Sequence, residues 1–418
     1  MVPGEDPLPP AFIELPESPA GDPCAAERDP VPAGLSATYA LGWDDGLVGP
    51  LSPEQASHRD ETGLPYVAVL HAEGDARAVV RVAWAERRAE IDVLDDAGEP
   101  TSMDEFRVDD DGSLFLLHHT DGEPISVAPS EEHVVRTVSY GRDGQAVCGL
   151  DDGGFLQTSA EIDRPHTDRP AFGTWQEVLA IAGIEGADLS GTTGPPPLPV
   201  NDDGDRWAPG HPLRPGDLEA MFTPGARARE SGDPVEIKVV DAGEVSLPSG
   251  RLLATDPGYL TRDLRPDEGP LAARVAPGSY PVELSIAQYL ENDWGTVAGA
   301  RVVVSDEPVV SWELGLREGE SEADLRDEEF FGFGVDTGTA SFTDVEAIPA
   351  VADAAQEVLG SLDDGYRTVD DGDLVMWHAG YGDGSYPVWV GRDSDGAVAA
   401  FVADMLILDG PDGSTAGP

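Results

Sequence analysis

Apolar residues along this chain alternate over short runs instead of recurring every third or fourth position, a pattern that predicts strands joined by tight turns. The first set of runs is Tyr66 to Leu70, Val79 to Trp84, Ile91 to Leu94, Leu114 to Leu117, Val134 to Tyr140, Ala146 to Leu150 and Phe155 to Thr158. Asp-Gly pairs at 111–112, 121–122, 143–144 and 152–153 separate several of them. Asp and Gly tolerate the positive φ of a hairpin turn, so the spacing predicts an antiparallel meander. Thr174-Trp175-Gln176-Glu177 has capping-box spacing, and Val178, Leu179, Ile181 and Ala182 supply the apolar face of a helix that follows.

A second set of strands runs from Val235–Val240 to Val398–Val402, and includes Val282–Ile286, Phe331–Val335, Leu374–Trp377 and Val388–Val390. Helical periodicity appears there over Ala350 to Leu362, with Val351, Ala354, Ala355, Val358 and Leu359 on one face. The expected architecture is mainly β (α+β): two antiparallel β-rich domains, the second a sandwich or partly closed barrel with one covering helix. Residues 1–35 read as a disordered Pro-rich leader and 36–185 as the N-terminal meander domain. Residues 186–232 form a Pro/Gly-rich linker, 233–410 the C-terminal domain and 411–418 a disordered tail.

Charge changes the picture most. The 418 residues carry 81 Asp and Glu against 25 Lys and Arg, a formal net charge of -56. Such a balance repels phosphate backbones and anionic membranes, so nucleic acid and membrane are excluded as partners, while a basic protein or dissolved cations suit it. Lys238 is the only lysine. A coding bias toward Ala, Gly, Pro, Arg and Asp accounts for the missing lysines, but not for the acid excess. The two cysteines, Cys24 and Cys148, are too few to build a disulfide framework. The start MVPGEDPLPP lacks the basic and apolar regions of a signal peptide, and no apolar run reaches membrane-spanning length, so a cytoplasmic location is expected.

The stretch Phe333-Gly334-Val335-Asp336-Thr337-Gly338-Thr339 imitates two active sites. An aspartic protease needs two carboxylates sharing a proton, yet Asp-Thr-Gly occurs once. A sugar kinase or actin-like ATPase needs the Asp-x-Gly-Thr hairpin early in a βββαβαβα domain, and here it lies near the end of a β pattern. The remaining expectation is a turn in which Asp336 accepts the loop amides. His118-His119 are adjacent in a strand and point to opposite faces, so they cannot readily chelate one ion. His378 stands before the loop Ala379-Gly380-Tyr381-Gly382-Asp383-Gly384, where it could act as a base beside Asp383. Asp393-Ser394-Asp395-Gly396 imitates part of a calcium loop but lacks its first and last ligands. No phosphate-binding loop, dinucleotide fingerprint or hydrolase elbow is present, so no cofactor is predicted.

Five blocks of the second half resemble a bacterial family, domain of unknown function 4241. They are LPSGRLLATDP (247–257), VAPGSYPVELSIA (275–287), AGARVVVSDEPVVSWELG (298–315), FGVDTGTASFTD (333–344) and GYGDGSYPVWVGRDSDGAVAAFVADM (380–405). The resemblance spans roughly residues 235–410 and implies a β-rich domain without an assigned activity. In it, the Val-Asp-x-Gly block ends on a second acid, Asp344, and Gly382 to Pro387 form the strongest signature. Two readings follow. The first is a non-enzymatic recognition protein, of a toxin-neutralising kind, whose acidic surface meets a basic protein. The second is a cation-dependent hydrolase with Asp336, His378 and Asp383 as catalytic residues. Asp344, Asp404, Tyr386 and Trp389 are the accompanying binding candidates.

Overall fold

The computed structural model describes residues 34–44, 46–121, 135–151, 155–184, 199–260, 268–291, 294–359, 362, 366–369 and 372–409. Residues 1–33 of the expected leader, Gly122 of one Asp-Gly pair, the pair at 152–153, the core of the expected linker and the tail lie outside them. The chain divides into two compact units, Met1–Pro209 and Gly210–Pro418. The described residues build large antiparallel sheets with few helices, as the alternating pattern demanded.

The first unit is an 11-stranded meander. Its strands are β1 (Ser36–Trp43), β2 (Leu47–Leu51), β3 (Tyr66–Ala72), β4 (Asp75–Ala83), β5 (Arg88–Leu94) and β6 (Pro100–Val108). They continue as β7 (Ser113–Asp121), β8 (Val135–Tyr140), β9 (Gln145–Asp151) and β10 (Phe155–Glu161). From β3 to β10 each strand pairs with the next, β1 lies between β2 and β3, and β11 (His166–Asp168) adds to β7. Tyr66, Ala68 and Leu70 of β3 enter the main core, while Val67 and Val69 enter a second cluster on the other face. That two-residue period buries both faces of the strand.

Helix α1 (Pro53–Thr62) starts on a capping box that the sequence displays as Ser52-Pro53-Glu54-Gln55 and stops on Gly63 at φ 76°. Helix α2 (Gln176–Ile181) follows the expected Thr174-to-Glu177 spacing without using it. Thr174 donates its hydroxyl to the Ala171 carbonyl, and the N-cap residue is Trp175. Cys148 on β9 is buried and disulfide-bonded, a bond the cysteine count gave no reason to expect; Cys24 lies outside the described residues.

The second unit layers two sheets and a helix. An 8-stranded sheet runs β12 (Arg227–Glu230), β13 (Asp233–Leu247), β15 (Gly278–Tyr289), β16 (Gly295–Val303), β23 (Val398–Asp404), β22 (Gly384–Arg392) and β17 (Ser311–Leu314), with β18 (Gly332–Val335) also on β22. A 4-stranded sheet runs β14 (Leu252–Thr255), β19 (Thr339–Asp344), β21 (Leu374–His378) and β20 (Tyr366–Val369). On β21, Val375 and Trp377 face the core between the sheets, whereas Leu374 and Met376 face Ile348, Val351 and Ala355 of helix α4 (Ile348–Val358). Each large apolar side chain buried this way contributes roughly 1.5–3 kcal/mol. On the outer face of the larger sheet, Trp389 and Val402 pack under Leu218 and Met221 of the short helix α3 (Leu218–Met221). The sandwich with a covering helix is thus present, and α4 overlaps the expected Ala350-to-Leu362 segment, starting two residues before it and ending four residues short. Asp393 to Gly396 form a hairpin turn, in which Asp393 accepts the amides of Asp395 and Ala397 on its own side chain.

Candidate functional site

The Asp-Thr-Gly sequence occupies the turn between β18 and β19, and the turn is organised by a different acid. Asp256 follows β14 and is fully buried. Its Oδ2 accepts the amides of Asp336 and Thr337 at 2.8 Å each; its Oδ1 accepts the Thr337 hydroxyl at 2.8 Å and the Gly258 amide at 2.6 Å. Four donors offset the cost of removing a carboxylate from water. Asp336 itself is exposed and accepts the Tyr259 hydroxyl. The expectation that Asp336 gathers the loop amides is therefore corrected: the chain supplies Asp256 from 80 residues upstream for that purpose.

The second signature loop lies against this turn. The Ala379 amide donates to the Gly338 carbonyl at 3.1 Å, and the pairings Val335 with Gly384 and Thr339 with His378 bracket both loops. Tyr386 turns back over its own loop and donates its hydroxyl to the carbonyls of Gly382 (2.8 Å) and Ala379 (3.2 Å). Burial, and after it the neighbouring Asp383 carboxylate, push the Tyr386 phenol up from its ordinary range. Gly380 has φ +48°, and a Cβ there would lie 2.9 Å from Cβ of Met405, so glycine is required. Gly-Ser-Tyr-Pro-Val occurs twice, at 278–282 and 384–388, and both copies are used alike: Tyr280, like Tyr386, donates to the carbonyl four residues earlier, here Ala276, at the start of its strand.

Asp336 and Asp383 thus sit on two adjoining turns and His378 at the end of β21 leading into the second, all three exposed. The remaining acids are elsewhere. Asp344, fully buried, accepts the Ser249 amide and hydroxyl at 2.9 and 2.7 Å and the Glu346 amide at 2.8 Å. Asp404, at the end of β23, accepts the Leu406 amide at 2.9 Å. Burial pushes the Asp404 carboxyl up to about 6, against the pull of that amide and of the nearby Trp389 indole, which falls short of hydrogen-bond geometry. Trp389 is a core residue on the outer face of the sheet. Among the described residues, no three of these candidates bring ligand atoms within 4.8 Å of one another. His211, Asp327 and Glu328 do. They meet where two segments 116 residues apart in sequence touch: the His211 amide donates to Asp327 and the Glu328 amide to the His211 carbonyl.

Beside His378 the gap between the two sheets opens into a cleft of about 410 Å³. Val240, Ile286 and Val297 are apolar residues of its lining, and Trp294 and Tyr366 are the aromatic ones. Gln288, Thr296 and His378 are its polar groups, with Gly295 and Gly380 completing the lining. Thr296 is 6% exposed, and among the described residues its hydroxyl has no hydrogen-bond partner. Trp294, 59% exposed, stacks on Tyr289 with ring centroids 5.4 Å apart. Burial, then the Glu230 carboxylate, push the Tyr289 phenol up to about 12. Of the sequence-derived candidates only His378 lines this cleft. Asp256, Gln288, Trp294, Thr296 and Tyr366 were missed. Nothing local distinguishes Thr296 or Gln288, and Asp256 could have been found only as the acid of the LLATDP block.

Residues 245–403 match the family described as a protein of unknown function, DUF4241. The match contains both loops and every lining residue of the cleft except Val240. Comparison with curated proteins and with solved structures returns no match. No helix among the described residues is long and apolar enough to cross a membrane.

Proposed function

We propose that the chain is a non-enzymatic recognition protein: its C-terminal unit presents a cleft to a ligand, and its acid-rich exterior suits a basic protein partner. The supporting observation is how the acids of the family blocks are used. Asp256 and Asp344 each spend both oxygens on the chain's own amides and hydroxyls, and Asp404 spends one on the Leu406 amide. Shared cation ligands must converge within a few ångströms with lone pairs to spare, and these are dispersed and occupied. The net charge of -56 supports the choice of a basic partner, and a toxin-neutralising role is one form such a partnership takes.

The adjoining exposed positions of Asp336, His378 and Asp383 favour the cation-dependent hydrolase as the competing reading, and one titration separates the two. Thermal stability is followed against Mn²⁺ and Mg²⁺ at constant ionic strength for the full chain and for a variant carrying Asp336→Asn, His378→Gln and Asp383→Asn. Recognition predicts the same rise for both, because diffuse screening of acids does not depend on three side chains. A saturable rise present only in the unaltered chain overturns it.

A further inference from the structure

At one edge of the larger sheet, strand pairing sorts the charges. Glu230 pairs with Asp233 and Ala228 with Val235, and Val235 pairs in turn with Tyr289. Paired residues share a face, and neighbours along a strand alternate between faces. Glu230, Asp233, Val235 and Tyr289 therefore lie on one face, and Arg227, Arg229 and Lys238 on the other. Glu230 is fully buried. One of its oxygens accepts the hydroxyl of Tyr381, from the Gly-rich loop, at 2.9 Å; the other has no hydrogen bond among the described residues. Tyr289, whose phenol is pushed up by burial and then by Glu230, stacks on Trp294. Trp294 and Tyr381, at 59% and 54%, are the two exposed aromatic rings among the described residues. Both thus flank one buried acid.

We infer that Trp294 and Tyr381 form a cation-binding surface that receives an arginine side chain of the basic partner. This rests on the recognition reading and names the contact by which the C-terminal unit meets that partner. An aromatic face attracts a cation through its quadrupole, and a guanidinium, planar and weakly hydrated, stacks on such a face while keeping its donors for other acceptors. The Glu230 carboxylate strengthens the attraction. Removed from water, it is screened poorly, and no basic side chain of β12 or β13 shares its face to answer the charge. The Tyr381 hydroxyl donates to it, which adds electron density to an exposed ring. Asp233, exposed and on the same face, contributes the same sign. An anion would be repelled here, and a purely apolar group would leave the buried charge unanswered, so the arrangement selects a cation.

The test is isothermal titration calorimetry of the full chain in about 0.15 M NaCl, where diffuse attraction is screened. The probes are a heptapeptide of alternating glycine and arginine and its citrulline counterpart, which keeps the shape and lacks the charge. The arginine peptide is expected to bind saturably and the citrulline peptide at least about fivefold more weakly. Trp294→Ala should weaken the arginine peptide by about two- to fivefold, the size of one exposed cation–π contact; the ring is exposed, so the variant leaves the core intact. Glu230→Gln keeps an acceptor for Tyr381, removes the charge and should weaken binding by a similar factor. Val310→Ala, at an exposed apolar residue beside Arg392, should change nothing. Equal affinity of the Trp294→Ala and unaltered chains overturns the surface and leaves recognition of a basic partner standing. Equal binding of the two peptides overturns the cation assignment. Absence of saturable binding by either peptide removes the basic-partner reading as well.

Discussion

The carboxylate of Asp256 holds Thr337 twice, accepting its backbone amide on one oxygen and its hydroxyl on the other, each at 2.8 Å, across 81 residues of sequence. That relationship reassigns the Asp-Thr-Gly motif. The acid that looks catalytic is a solvent-facing turn residue, and the acid that fixes the turn comes from another block of the same family match. Thr337→Val removes one charge-assisted bond while keeping the shape, and should cost roughly 1.5–3 kcal/mol in urea melts.

Asp404 should make stability depend on pH. Its folded-state pKa of about 6 lies above the ordinary 3.8, so the folded state holds the proton more tightly than the unfolded chain. The associated stability is intact below about pH 4 and is lost as the pH rises through 6; the full shift corresponds to about 3 kcal/mol. Asp404→Asn retains an acceptor for the Leu406 amide and removes the charge. It should stabilise the protein at pH 8 by up to that amount and by about half as much at pH 5. A difference that does not change with pH contradicts the assignment.

Tyr386→Phe should loosen the Gly-rich loop. It removes the hydroxyl that donates to Gly382 and Ala379 and keeps the buried ring. The expected loss is about 1 kcal/mol, with faster hydrogen exchange at residues 380–384 and little change elsewhere.

In the first unit, Asp60 is buried and receives the Tyr66 hydroxyl at 2.8 Å and the Trp84 indole N–H at 2.7 Å on one oxygen. Asp60→Ala strands both donors in the core and should cost about 3 kcal/mol. Site-resolved hydrogen exchange should place the loss in β3 and β4.

Added salt should raise the melting temperature of the unaltered chain. At a net charge of -56, self-repulsion opposes the compact state, and raising NaCl from about 0.02 M to about 0.5 M shortens the screening length several-fold. A melting temperature that falls with NaCl would show that specific ion pairs outweigh the repulsion.

Much of the fold was legible because strand burial writes itself as alternation. Val375 and Trp377 against Leu374 and Met376 is a pattern that only a strand between two apolar layers explains. Strand β6 escaped because its sequence PTSMDEFRV buries Asp104, Glu105 and Arg107, which pair with His119 and Arg88 and break the apolar rhythm. Helix α1 escaped for the opposite reason: it is polar nearly throughout, burying only Ala56 and Asp60, and its capping box was the sole signal. The site was less legible. Contacts such as Asp256 with Thr337, or Asp344 with Ser249, depend on how distant segments are brought together, and composition carries no record of that.

The most direct test of the central claim, that Asp256 and not Asp336 holds the Asp-Thr-Gly turn together, is a pair of urea denaturation curves for Asp256→Ala and Asp336→Ala. Asp256→Ala leaves four donors around an emptied buried position and should lose about 3–5 kcal/mol. Asp336→Ala loses one exposed contact with Tyr259 and should stay within about 1 kcal/mol of the unaltered chain. The reverse order, with Asp336 the costly position and Asp256 tolerant, would contradict the account.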